Sequence, residues 1–309
     1  MASLRSKFWA RIISKEIGKA PEIKDTNDIR KDFSGDSRIL RRANSWKKDK
    51  EIDYSNFNIE DLPILKLENK KIQSKKTLLY LHGGGYVACG PETHGPLITQ
   101  LSLVAKTHVL FPIYRLAPEH PFPAAIEDAV ASYKYLLDQG IDPKEIFLAG
   151  DSAGGGLTMA LLQKIKEESL PNPACAIVIS PWTDLTLSGK SITERKERDP
   201  MIKMDPGSNV IVEAYCGGED PKNPLISPIF ADLEGMPPIQ IQVASEESIF
   251  DDSTRLYDRL KECNNEEIEF IEWEGLFHVF QAFCTGWLGI PEAKKSIREM
   301  AKYSDRYIT

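Results

Sequence analysis

From Lys76 onward, short apolar runs alternate with longer stretches of mixed polarity. The runs are Thr77–Leu81, His108–Tyr114, Ile146–Ala149, Ala174–Ser180, Ile239–Val243 and Glu267–Trp273. Their length and composition predict strands, and their lack of polar alternation predicts strands buried on both faces. Between them, Thr93–Ala105, Ala124–Gln139, Gly155–Glu168 and Ser253–Cys263 carry helical patterning. Strand–helix alternation of this kind predicts a mostly parallel sheet flanked by helices, an α/β architecture.

Two stretches break the alternation. Residues 1–75 are rich in charge and poor in strand signals. They read as a mostly helical N-terminal segment, with an early strand pair near Leu62–Leu67, ahead of a main domain at 76–309. Leu4, Phe8 and Ile12 recur at helical spacing among Arg5, Lys7, Arg11 and Lys15. Such an amphipathic helix can lie on a membrane surface or pack on its own protein. No apolar run suffices for a signal peptide or a membrane span, so no stable membrane insertion is expected. Residues 185–225 are polar and contain Pro and Gly. Lying between two strands, they read as an excursion placed to sit over one end of the sheet.

Composition narrows the function classes. At 309 residues and 41% hydrophobic content the chain can bury a sizeable core. A net charge of −7, from 39 basic and 46 acidic side chains, offers no footprint for nucleic acid. Cys89, Cys175, Cys216, Cys263 and Cys284 are widely spaced and form no C-x-x-C pair. This argues against a disulfide framework or a zinc site and for free thiols in a reducing compartment, the cytoplasm. No metal or organic cofactor is implied. A homodimer is left open.

The candidate chemistry sits at the ends of two runs. After Ile146–Ala149 comes Gly150-Asp151-Ser152-Ala153-Gly154, then a helical pattern. This is G-x-S-x-G in its strand–turn–helix setting, which makes Ser152 the candidate nucleophile. Glycines flank it because side chains there would strike neighbouring backbone, and the turn leaves the serine strained and exposed. After Thr77–Leu81 comes His82-Gly83-Gly84-Gly85-Tyr86. Three successive glycines cost backbone entropy and make sense where bare N–H groups approach a ligand. Gly83, Gly84 and Gly85, joined by Ala153, are candidate donors to an oxyanion. His82 is expected to anchor this loop.

A serine hydroxyl needs a base and an orienting acid, which in this type of fold follow in the order Ser, Asp or Glu, His. His278 is the only histidine after Ser152. The acid comes from Glu246, Glu247 or Asp251, after the run Ile239–Val243.

The Ser152 and triple-glycine motifs resemble those of the hormone-sensitive-lipase-like family of α/β-hydrolases, in its GDSAG-type bacterial branch. Tyr114–Ala125, Ser180-Pro-Trp-Thr-Asp-Leu185 and Ser227-Pro228 strengthen the likeness, which covers roughly Lys76 to the C-terminus. The resemblance implies an α/β-hydrolase fold with a helical cap, and hydrolysis of short- to medium-chain carboxylic esters through an acyl-enzyme. It places Glu247 at the triad acid, where the family pattern has Asp. It gives Glu119 a part in holding the oxyanion loop and Asp151 a supporting place beside the nucleophile. Phe8, Trp9, Tyr86 and Met204 are candidate apolar linings. An amide hydrolase on the same triad and a non-catalytic small-molecule receptor are the alternatives.

Overall fold

The apolar runs become neighbours in one sheet. The computed structural model describes residues 2–17, 26, 30, 49–202, 204, 210–263, 267–286 and 289–308. Its strands are β1 (Ile52–Ile59), β2 (Leu62–Asn69), β3 (Thr77–Leu81), β4 (His108–Pro112), β5 (Ile146–Asp151), β6 (Cys175–Ile179), β7 (Ile239–Ala244) and β8 (Ile268–Trp273). They lie in the order β1-β2-β4-β3-β5-β6-β7-β8. From β4 to β8 all neighbours pair in parallel, while β1 pairs with β2, and β2 with β4, antiparallel. Every residue of β3, β5, β6 and β7 is buried, which is why these runs carry no polar alternation.

The described helices are α1 (Leu4–Ile17), α2 (Pro91–Val104), α3 (Ala124–Asp138), α4 (Ala153–Glu167), α5 (Ser191–Glu194), α6 (Val210–Cys216), α7 (Phe250–Glu262) and α8 (Pro291–Tyr307). They cover both faces. Leu79, Leu81 and Leu148 turn toward Ile126 of α3, Leu157 of α4 and Leu256 of α7. Their strand neighbours Leu78, Tyr80 and Phe147 turn the opposite way, toward Leu97 of α2 and Ile297 and Met300 of α8.

The N-terminal boundary differs from the expectation. Residues 52–69 form a hairpin at one end of the main sheet, so this part of the segment 1–75 belongs to the sheet. The early strand pair is real and longer than its sequence signal. β1 reads IDYSNFNI and lies at the sheet edge, where solvent admits Asp53, Ser55, Asn56 and Asn58. Helix α1 packs on its own protein: Ile13 is buried, and the Trp9 ring lies 4.9 Å from that of Phe283. Leu4 and Phe8 face outward, 85% and 46% exposed. No helix among the described residues is long and apolar enough to cross a membrane.

One topological detail positions the site. β3 is followed in sequence by β4 on one side of it, yet has β5 on the other. The connections leaving the C-terminal ends of β3 and β5 therefore run in different directions, leaving the kind of crevice in which ligands bind in parallel α/β sheets. The triple glycine and Ser152 both stand at this point.

Candidate active site

Ser152 is the single residue between β5 and α4. Its φ of 53° and ψ of −124° place it in the left-handed half of conformational space, a strain of about 1–3 kcal/mol that only a tightly fixed surrounding can hold. The surrounding is tight: a Cβ on Gly150 would strike the carbonyl oxygen of Gly154, and one on Gly154 that of Leu81. Without both glycines the elbow could not close against β3.

From Ser152 a chain of contacts runs inward. Its Oγ lies 2.9 Å from Nε2 of His278, and Nδ1 of His278 lies 2.9 Å from a carboxylate oxygen of Glu247. The other Glu247 oxygen accepts the Ser180 hydroxyl and the Ala244 backbone N–H, each at 2.6 Å. Glu247 is completely buried. The competing acids point elsewhere: Glu246 lies 3.4 Å from Arg198, and Asp251 accepts from the Ser191 N–H at 3.1 Å. Ser180 and Val279, next to this line of contacts, also adopt left-handed backbone. Burial by itself would lower the His278 pKa. The hydrogen bond and charge of Glu247, with the charges of Asp199 and Asp151, outweigh it and raise the pKa above its usual value.

On the other side of Ser152 lies the glycine loop. Among the described residues none accepts the N–H of Gly84, Gly85 or Ala153. Gly83 departs from expectation, because its N–H is taken by Asp151 Oδ1 at 3.1 Å and is not available to a ligand. Gly84 has φ +116°, and a Cβ there would collide with the Ala88 carbonyl. Two free amides from the loop and one from the N-terminus of α4 thus form the candidate anion pocket.

The supporting residues have definite partners. Asp151, fully buried, also accepts the Tyr80 hydroxyl at 2.7 Å and meets Nε2 of His94 at 3.1 Å. Burial would raise its pKa, but the charge and hydrogen bond of His94, with the Tyr80 hydroxyl, hold it below the usual value. His82 packs beneath the loop: its ring stacks on Tyr114, with centroids 4.2 Å apart, and its Nδ1 lies 2.7 Å from the Gly83 carbonyl. Burial pushes its pKa down to about 3, too low for a useful base near neutral pH. Glu119 reaches the loop only indirectly. It pairs with both terminal nitrogens of Arg30, at 2.7 and 2.5 Å, and Arg30 Nε donates to the Val87 carbonyl at 2.8 Å.

The expected linings separate. Trp9 packs on Phe283, which meets Phe277 beside His278, while Phe8 is half-exposed on the outer side of α1. Tyr86 is buried and stacks on Tyr215 of α6 at 3.7 Å, and Met204 is buried. Ile211 of α6 packs against Gly85, which brings this part of the excursion after β6 to the glycine loop. Sequence reasoning missed His94, Tyr80, Arg30 and Asp199. Ser180 stood in a stretch already singled out, but nothing in its identity marked a contact with the acid. Among the described residues no group of three or more His, Cys, Asp or Glu side chains could hold a metal ion, and all five cysteines are free.

Residues 78–282 match the model of a family described by the alpha/beta hydrolase fold. An acetyl-hydrolase of Streptomyces hygroscopicus is 44% identical over 226 residues, covering 73% of this chain and 74% of that protein. An esterase of Acinetobacter venetianus is 34% identical over 77% of this chain and 78% of its own length. The crystal structure of an esterase from the bacterial hormone-sensitive lipase family superposes with a TM-score of 0.89, at 33% identity and full coverage of both chains. With its elbow, glycine loop and sheet order, the chain belongs to the α/β-hydrolase family, among the esterases of the bacterial hormone-sensitive-lipase type.

Proposed function

We propose that the protein is a serine carboxylesterase that cleaves short- to medium-chain carboxylic esters through a Ser152–His278–Glu247 triad. The observation that carries this reading is the unbroken line from Ser152 Oγ through both His278 nitrogens to a buried carboxylate, two contacts of 2.9 Å. His278 takes the Ser152 proton as Oγ attacks the ester carbonyl. The amides of Gly84, Gly85 and Ala153 receive the developing oxyanion, each donor being worth about 10²–10³ in rate. His278 then protonates the leaving alcohol, and water activated by the same imidazole releases the acid. Glu247 holds the imidazole in the tautomer with hydrogen on Nδ1 and stabilises its positive charge. The acetyl-hydrolase relative favours the short end of the acyl range. Five unpaired thiols fit a cytoplasmic setting.

The test is hydrolysis of p-nitrophenyl esters from C2 to C16 by the wild type and Ser152→Ala. Turnover should be greatest on short chains. It should fall at least ~10³-fold in the variant, since loss of the nucleophile leaves only the residual catalysis of binding and the oxyanion pocket. Wild type that turns over no chain length in a Ser152-dependent way would sink the reading.

A further inference from the structure

The excursion after β6 does more than cover the site. It grips the loop that carries Glu247. The Arg195 guanidinium donates to the Ser245 carbonyl and lies 3.8 Å from the Phe250 ring centre. The Ser191 hydroxyl donates to the Ser248 carbonyl at 2.8 Å and accepts the Asp251 N–H at 3.0 Å. The Ser248 hydroxyl donates back to the Ile202 carbonyl at 3.2 Å.

At the centre of this grip is Asp199, 1% exposed. One carboxylate oxygen accepts the backbone N–H of Met201 at 2.9 Å and of Ile202 at 3.4 Å, closing the turn on its own segment. The other accepts the Ser248 N–H at 2.9 Å, one residue after Glu247. No Lys or Arg among the described residues forms an ion pair with it. Burying a carboxylate is costly, and such groups concentrate where chemistry needs them. Burial pushes its pKa up to about 6, against the His278 charge and the Ser248 and Met201 amides and with the help of the Glu247 charge. Its negative charge in turn raises the His278 pKa.

We propose that Asp199 is a positioning residue of the ester-cleaving reaction. From the excursion it fixes the backbone beside Glu247 and presents a second negative charge toward His278. The assignment rests on the triad reading above. Two predicted effects separate it from a role in packing alone. The imidazolium that forms in the transition state is stabilised by Asp199 as well as by Glu247, so removing the charge slows kcat. The same loss lowers the His278 pKa. Because the base acts in its neutral form, the acid limb of the rate profile then moves to lower pH. Among the described residues, the charged groups near this pair include Glu247 and Asp151 toward His278, with Arg195 and Arg198 on the Asp199 segment engaged by Ser245 and Glu246.

The experiment measures kcat and KM on p-nitrophenyl acetate from pH 5 to 9 for wild type, Asp199→Asn, Asp199→Ser and Asp199→Glu, with a thermal melt of each. Both neutral variants should lose about tenfold or more in kcat with KM within about twofold, since a group acting through His278 changes the transition state and not substrate binding. Their acid limb should move to lower pH, while Asp199→Glu should keep the wild-type limb. Neutral variants that melt normally and match wild type in kcat and limb would overturn the assignment. So would a change confined to KM. Failure of both neutral variants to melt cooperatively would make Asp199 a fold determinant and also overturn it. Wild type without Ser152-dependent hydrolysis would instead bring down the esterase reading itself.

Discussion

The two flanks of Ser152 are held by different parts of the molecule. On the oxyanion flank, the innermost ties come from the sheet and its first helices: Asp151 on β5 gathers Tyr80 of β3, the Gly83 amide and His94 of α2. Arg30 and Glu119 add only an outer clasp. On the base flank, Ser180 and the Ala244 amide hold the Glu247 carboxylate, but its loop is gripped by the excursion through Ser191, Arg195 and Asp199. Each flank has a further buried carboxylate: Asp151 next to Ser152, and Asp199 on the Ser248 amide, one residue after Glu247. Asp151 has a histidine partner and its pKa is depressed, whereas among the described residues Asp199 accepts from backbone amides and its pKa is raised. The contrast teaches that the excursion holds the loop of the base flank as well as touching the glycine loop.

The comparison can be broken most severely at its inner members. Glu247→Gln should lower kcat on a short ester by about 10³–10⁴, because the amide supports the wrong imidazole tautomer and cannot stabilise its charge. Asp251→Asn and Glu246→Gln, whose carboxylates point away, should stay near wild type; the reverse ranking would move the acid to another residue. Next in size is Gly84→Ala. The added Cβ meets the Ala88 carbonyl at a backbone angle that alanine resists, and loss of one oriented donor should cost about 10²–10³ in kcat. A normal rate here would show that the oxyanion sits elsewhere. The smallest effect belongs to the outer clasp. Glu119 is exposed, its side chain 56% accessible, and exposed pairs are worth at most about 1 kcal/mol, so Glu119→Gln should change kcat by no more than about fivefold. A larger loss would make the clasp an inner support.

What could be read from the sequence follows the same division. The oxyanion flank is built from short stretches whose contacts form close to home. Gly150–Gly154 and His82–Gly85 each announce themselves by residue type, because only glycine tolerates those approaches. His278 stands out as the only histidine after Ser152. Glu247 needed the family pattern, since three acidic residues within six positions satisfy the bare chemistry. Asp199 gave no sign at all. Its partner Ser248 lies 49 residues away, and an aspartate before a proline in a polar stretch looks like any surface turn. Gly83 shows the opposite error: a glycine in the right motif whose amide faces a neighbouring carboxylate. The hairpin β1–β2 was underread for a physical reason as well, because an edge strand wetted on one side loses the apolar signature of its buried neighbours.

The strand order has a consequence for how the protein comes off the ribosome. β3, β4, β5 and the start of α4 lie within residues 77–167, and they contain the glycine loop, its buried anchors and Ser152. A nascent chain can bring these together once that stretch has emerged. The base flank must wait for Asp199, Glu247 and His278, the last of which is made 126 residues after Ser152. Closing contacts over such spans is slow relative to local pairing, and domains gain structure from the N-terminal side during synthesis. Throughout that interval Ser152 stands without His278, so the growing chain completes the proposed triad only after residue 278 has emerged.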